Sequence, residues 1–271
     1  MNTAKQLEEF FEALVKTQSL CASMPSLADN LDNSGKKEER ELVLPQSPQI
    51  RASQVGDLFV DARKKGELSE TTKKLVYRVI ADRIGAASQF NSIYVEKGTI
   101  VESESIEYIN SVKNSNYAKN VNKYVSEILV GTPDIITDNE VIDIKNSFEI
   151  ETHLHNIMQN ELPKQYYYQL QAYMALVNRD VGKIIYVLMP TPQHILEKQA
   201  RALEYKYADY QSALDALISA NEKISQLPDN IRIKEITVVR EQNFIDEFTT
   251  RYEMFKEYYL SVCEQLKIKT E

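Results

Sequence analysis

At 271 residues the chain can bury a core of its own and form one domain, or at most two. Its 43% apolar and 27% charged residues are those of an ordinary globular protein, and no apolar run approaches the roughly 18 residues of a membrane span. Two cysteines near opposite ends exclude a disulfide framework and a cysteine-rich metal centre, and the net charge of −8 argues against non-specific nucleic-acid binding, though not against a local basic groove.

The N-terminus carries acidic residues and no apolar stretch, so no secretory signal is expected, and the scarcity of cysteine points to a reducing, cytoplasmic setting. Thr3 with Gln6 resembles a capping box that opens an amphipathic helix to about residue 17. The polar stretch "SLADNLDNSGKKEERE" then reads as a connector, so residues 1–45 are expected to be a helix and linker, and 46–271 one domain. Ser53 is placed to cap a helix over 53–65, and Ser69 another to about residue 84.

"KGTIVESESIEYINSVK" has helical spacing, with Val101, Ser105, Tyr108, Ile109 and Val112 on one face. "YVSEILV" and the two arms of "GTPDIITDNEVIDIKNS" are three consecutive strands, "KQYYYQLQAYMALVN" is a helix, and "GKIIYVLMP" is a buried strand. A long helix over about 193–227, the strand "IKEITVVR" and a last helix over about 242–267 complete the chain. The order of helix, three-strand meander, helix and strand, with helical additions at both ends, indicates an α/β fold with a mixed sheet.

The chemistry gathers at one hairpin. A type I′ turn centred between Asp138 and Asn139 sets Asp134 directly opposite Asp143, with Cβ atoms about 4.5–5.5 Å apart on one face of the sheet. Lys145 lies two residues on and shares that face, and Pro133, lacking a donor, marks a strand edge or bulge. Two carboxylates so placed repel unless a positive charge sits between them, and a hard divalent cation accepts such oxygen ligands. A solvated hairpin with an Asp143–Lys145 pair facing water fits the spacing equally.

In the preceding helix, Glu104 and Glu107 point away from the apolar face. Glu102 falls on the buried flank near Ile106 and Ile109, with Gly98 one turn earlier to allow close approach. A carboxylate there needs a metal, a lysine or an exit to the rim. Gln169 and Tyr173 share a helix face, a common pattern by itself, and Tyr166, Tyr167 and Tyr168 fit either base stacking or a core. His153 and His155 stand two apart without a third ligand, and read as loop or DNA-facing residues rather than a zinc site.

Taken in order, Gly98-x-x-x-Glu102, Pro133-Asp134, Asp143-x-Lys145 and Gln169-x-x-x-Tyr173 resemble the PD-(D/E)xK nuclease superfamily. They are most similar to its phage exonuclease branch, which takes in lambda-type exonucleases, YqaJ-type recombination nucleases and the RecB-type nuclease domain, over roughly residues 50–190. The resemblance implies a restriction-endonuclease-like core and a Mg²⁺-dependent deoxyribonuclease, with Mn²⁺ able to substitute. By the same resemblance Glu102, Asp134, Asp143 and the carbonyl of Ile144 are metal ligands, Lys145 positions the attacking water, and Gln169 orients groups around it. "RASQ" resembles the family's grip on a terminal 5′-phosphate, which would make Arg51 and Ser53, with Tyr173, DNA contacts. That fit is partial, because the family's arginine lies further upstream, where this chain has Gln46, and a plain helix-cap serine fits Ser53 as well. The expectation is an exonuclease acting on linear duplex ends, 5′ to 3′, in phage-type recombination, with a single-strand annealing protein as partner and a ring trimer as its assembly. An endonuclease of the same fold, in defence or restriction, and a non-catalytic DNA-end-binding module are the alternatives.

Overall fold

The structure, a computed structural model, describes residues 42–86 and 92–271, so the N-terminal helix and the polar stretch after it, residues 1–41, lie outside the described residues, while the end of the linker expected to residue 45 forms a short strand paired with the C-terminus. The strands are β1 (Val43–Leu44), β2 (Ile50–Arg51), β3 (Tyr124–Val125), β4 (Leu129–Gly131), β5 (Ile135–Ile136), β6 (Glu140–Asn146), β7 (Val181–Val187), β8 (Ile233–Val239) and β9 (Lys269–Thr270). The helices are α1 (Val55–Leu58), α2 (Glu70–Arg83), α3 (Ile93–Lys113), α4 (Ile150–Met158), α5 (Lys164–Val177), α6 (Gln193–Leu203), α7 (Tyr210–Ile224), α8 (Asp229–Arg232) and α9 (Phe244–Gln265).

The main sheet has the order β5-β6-β7-β8, with β6 and β7 parallel and both outer pairs antiparallel. Alternation along β6 divides its side chains between two layers. Val141 joins Ile184 and Tyr186 against Leu170 and Met174 of α5, a core that α9 extends with Phe244, Phe248, Tyr252 and Phe255. Ile142 and Ile144 face the opposite way, with Ile135, Ile185 and Val187, and meet Val101, Ile106 and Ile109 of α3. The sheet is thus covered on both faces, as an α/β fold requires.

Several expectations are corrected. The three-strand meander is divided between two sheets: β4 lies between β2 and β3 in a separate three-stranded sheet, and β5 joins the main one. A turn at Ser126 breaks "YVSEILV", because its hydroxyl accepts from Leu129 N at 3.0 Å and closes the chain on itself. The helix over 53–65 is a 3₁₀ turn (Ala52–Gln54) followed by the single turn α1. Ser53 is not its cap; Gln54 Oε1 accepts from Arg51 N at 3.1 Å instead. The long helix over 193–227 is two helices, α6 and α7, packed on each other through Leu196, Ala200, Ala213 and Leu214. Asp209 starts the second by accepting from Ser212 N at 2.7 Å. Val112 is exposed at the end of α3 rather than on its apolar face, and "ETHLHN" is helical within α4. Ser69 does cap α2, accepting from Thr72 N at 3.1 Å.

Close packing between α1 and α5 rests on Gly56. A Cβ there would stand 2.8 Å from Gln165 Cα, a backbone atom that cannot swing aside. Gly56→Ala should therefore cost about 1–3 kcal/mol, read as a lower denaturant midpoint, by forcing the helices apart. An unchanged midpoint would show that α1 yields without loss.

Candidate active site

The hairpin forms in the expected register: Ile135 pairs with Ile142 and Ile136 with Val141, so Asp134 stands against Asp143. Its turn is not type I′. Among the described residues neither Asp138 nor Asn139 has positive φ. Thr137 replaces that device, its Oγ1 accepting from Glu140 N at 3.1 Å and from Asn139 N at 3.3 Å.

Asp143 is 4% exposed and sits on the α5 face of β6 with Lys145. Gln169 of α5 bridges the two: its Nε2 donates to Asp143 Oδ1 at 3.0 Å, and its Oε1 accepts from Lys145 Nζ at 3.2 Å. Lys145 Nζ also lies 2.7 Å from Asp143 Oδ2 and 4.6 Å from the centre of the Tyr166 ring. Burial works against the Lys145 charge, but the carboxylate of Asp143 outweighs it and holds the pKa above its usual value. The order Gln169, Asp143, Lys145 is a closed set of charge-assisted bonds, and it fixes the amide orientation of Gln169.

Tyr173 stands behind that set. Its hydroxyl accepts from Gln169 Nε2 at 3.1 Å and donates to Thr132 O at 3.4 Å. Its ring occupies the space over Gly131, where a Cβ would lie 2.7 Å from Tyr173 Cε1. The glycine before the Pro133-Asp134 pair is therefore what admits the tyrosine that steadies Gln169.

Asp134 has a weaker shell. Its Oδ2 accepts from Ile144 N at 2.6 Å, and no lysine touches it among the described residues. Burial, then the charge of Asp143, push its pKa up to about 8, with Glu102 adding to the rise and Ile144 N opposing it. Glu102 belongs to α3, which lies on the other face of the sheet with Val101 and Ile106 clustered with Ile135 of β5, and its charge is felt at Asp134. It is held there by Lys119, whose Nζ is 3.1 Å from Glu102 Oε1. Lys119 in turn rides on a segment pinned to the hairpin by Asn120, which donates from its backbone to Asp134 O at 2.7 Å and from its side chain to Pro133 O at 2.8 Å.

Gly98 has no close neighbour and is not needed for the approach of α3. His153 is fully buried in α4, bonded to Ser147 Oγ at 3.0 Å and Ile231 O at 2.8 Å, so it is a structural residue and not a DNA-facing one. Burial lowers its pKa and keeps the ring neutral. His155 is exposed. Tyr168 stacks on Phe59 with ring centres 3.8 Å apart, a core role. Arg51 pairs with Asp82, and Ser53 is exposed beside it. Strand β2 brings both toward the hairpin, since Arg51 lies opposite Val130, four residues before Asp134. Sequence reasoning missed Lys97, Lys119 and Asn120. Lys97 had a signal: it continues the Val101, Ser105, Ile109 stripe one turn earlier.

Among the described residues no three histidine, cysteine or carboxylate side chains converge on one point. The donor set nevertheless suits a hard cation. Asp143 Oδ2 is buried with the Lys145 ammonium 2.7 Å away as its counter-charge, and Asp134, across the hairpin, has one backbone N–H and a pKa raised by burial and by the Asp143 charge. Ions such as Mg²⁺ are commonly held by one or two carboxylates, with waters and substrate phosphate completing the shell.

No protein-family model matches the chain, and no functionally curated protein does. Solved structures do. A phage-related exonuclease from Haemophilus somnus 129PT superposes with a TM-score of 0.68 at 23% identity, over 80% of this chain and 96% of its own. The chain shares that structure's fold. The alkaline exonuclease of Laribacter hongkongensis gives a TM-score of 0.56 at 17% identity, over 82% of this chain and 93% of its own, and its complex with dAMP gives 0.57. Within that exonuclease fold the β5–β6 hairpin and α5 are what bring Asp134, Asp143, Lys145 and Gln169 together.

The raised pKa of Asp134 has a stability consequence. A group that binds its proton more tightly when folded contributes fully below its unfolded pKa near 4, and that contribution is lost as pH rises through about 8. In EDTA the melting temperature should fall between about pH 5 and 8. Asp134→Asn keeps an oxygen for Ile144 N, so it should flatten that fall and raise Tm at pH 8 by several degrees. An equal fall in the variant would assign the pH dependence to another group.

Proposed function

We propose that the chain is a metal-dependent deoxyribonuclease that degrades linear duplex DNA from its ends, with 5′ to 3′ polarity. The observation that carries this reading is the closed set of Asp143, Lys145 and Gln169 beside an uncompensated Asp134, placed at one sheet edge of an exonuclease fold. Asp134 and Asp143 would hold the cation, joined by Glu102 and the carbonyl of Ile144, and Mg²⁺ is the reading's natural ion, with Mn²⁺ able to replace it. Bound there, such an ion supplies charge stabilisation for the scissile phosphate and a water of lowered pKa.

The chain's own residues do the rest. Lys145, kept charged by Asp143, is a donor of fixed position for the attacking water or a phosphate oxygen. It is not a base at neutral pH. Gln169 fixes the orientation of the Lys145–Asp143 ion pair, because it bonds both members at once. Tyr173 holds Gln169 from behind, so its place in the site is support for the amide rather than contact with DNA. Arg51 and Ser53 are retained as the contact for a terminal 5′-phosphate, a reading supported by the pairing of Arg51 with Val130, four residues before Asp134. To serve there, Arg51 would exchange its exposed pair with Asp82 for the phosphate, a cheap exchange for a surface ion pair. A cytoplasmic recombination setting, a single-strand annealing partner and a ring trimer belong to the same reading. No helix among the described residues is long and apolar enough to cross a membrane.

The test is digestion of end-labelled linear duplex and covalently closed circles with Mg²⁺ and with EDTA. Linear DNA should be lost only with Mg²⁺, faster from 5′-phosphate than from 5′-hydroxyl ends, and circles should survive. Lys145→Ala and Asp143→Asn should each lower the rate by at least about a hundredfold. Arg51→Ala should shrink the 5′-phosphate preference, which a charge-assisted contact sets at about 10- to 150-fold. Nicking of circles at a comparable rate would establish the endonuclease alternative, and wild-type cleavage by Lys145→Ala would remove the site.

A further inference from the structure

Lys97 is fully buried in α3, and no carboxylate lies within hydrogen-bonding distance of it among the described residues. Its Nζ donates to Ser147 O at 2.9 Å and Phe148 O at 3.1 Å, the two carbonyls that follow β6. The Phe148 ring lies 5.4 Å from the ammonium and supplies further, weaker compensation. Burial brings the pKa down to about 8, the mark of a charge that the surroundings accept at a cost. Apolar residues fill the same stripe elsewhere, at Val101 and Ile109, so packing alone does not require an ammonium here.

A second tether lies eight residues along the same stripe. Ser105 Oγ donates to Asn146 Oδ1 at 2.7 Å, with Val101 O also within reach at 2.8 Å. The two tethers bracket Glu102. At their other ends they hold Asn146, Ser147 and Phe148, the three residues directly after Lys145. Ser147 is fixed in turn by His153, through the 3.0 Å contact of its hydroxyl with Nδ1, and His153 by Ile231 O. The helix that carries Glu102 and the strand that carries Asp143 and Lys145 are thus joined by directional bonds, and not only by apolar contact. Apolar contact between α3 and the sheet is non-directional and tolerates sliding; hydrogen bonds from a buried ammonium to two successive carbonyls do not.

We infer that Lys97 is a positioning residue for Glu102: its bonds to Ser147 O and Phe148 O set the axial register of α3 against β6, and so place the Glu102 carboxylate at the sheet edge beside Asp134. The inference rests on the metal-site reading above and names what completes that site from the far face of the sheet. Lys97 touches neither substrate nor ion; it acts through the helix.

The test is Mn²⁺ titration by calorimetry of the metal-free protein, without DNA, for Lys97→Met, Lys97→Arg and Ser105→Ala, each alone and combined with Glu102→Gln. Melting curves in EDTA would confirm that each variant is folded. Supporting residues of this kind shift metal affinity by about 10- to 100-fold. Lys97→Met should weaken Mn²⁺ binding by at least about tenfold, Lys97→Arg should restore part of it, and Ser105→Ala should show a smaller loss. In the Glu102→Gln background the Lys97 and Ser105 substitutions should produce no further loss. A folded Lys97→Met with wild-type affinity, or an equal loss with and without Glu102, overturns the inference. If Lys97→Met does not fold, Ser105→Ala and its combination with Glu102→Gln decide by the same criterion. Failure of the wild-type chain to bind Mn²⁺ at all would instead remove the metal-site reading on which the inference stands.

Discussion

Asp134 and Asp143 stand against each other across two strands of a hairpin, where the charge of Asp143 raises the pKa of Asp134, and the neighbouring groups are arranged around that repulsion. The cost is divided unequally. Asp143 receives both protein counter-groups, the Lys145 ammonium and the Gln169 amide, while Asp134 receives one backbone N–H. That asymmetry leaves one carboxylate fully engaged with the protein and the other short of positive charge. It also explains why α5 must be rigid. An amide that has to donate to Asp143 and accept from Lys145 at once can do so in one orientation only, and Tyr173, seated over Gly131, holds it there.

The register of the hairpin was readable because strand pairing has a period of two: placing the turn between Asp138 and Asn139 determines every cross-strand pair. The turn chemistry was misread for an equally physical reason. Asn and Asp tolerate positive φ, but a threonine hydroxyl at the preceding position satisfies the same backbone donors without it. The motif residues could be recognised because each is a polar group in an apolar run, where its presence needs a partner. Lys97 obeys the same rule, a charged residue on the Val101–Ile109 stripe, and could have been found by extending that stripe one turn.

What stayed hidden depends on distance along the chain. Nothing local separates β3–β4 from β5–β6, since the break into two sheets is decided by β2, whose pairing partner lies nearly eighty residues away. The same holds for α4. Its weak loop-like composition becomes helical because His153 can bury its ring between Ser147 and the carbonyl of Ile231, a partner remote in sequence. The pairing of Glu102 with Lys119 was one of three outcomes open to a carboxylate on that flank, and choosing among them needed the Asn120 contacts to Pro133 and Asp134 that bring Lys119 into reach.

Residues on opposite faces of a sheet are separated by its thickness, so a site that draws on both faces can form only where the sheet ends. Here β5 is the edge strand, its paired length is the two residues Ile135–Ile136, and Pro133 just before it has no N–H to extend the ladder. The freed backbone of Pro133 and Asp134 is taken up by Asn120 rather than by another strand. The edge is thereby protected against pairing with other chains and at the same time left open to side chains from α3. Gln169 and Tyr173 approach the hairpin from one layer and Glu102 from the other, and the short strand between them is what lets the two layers meet at Asp134.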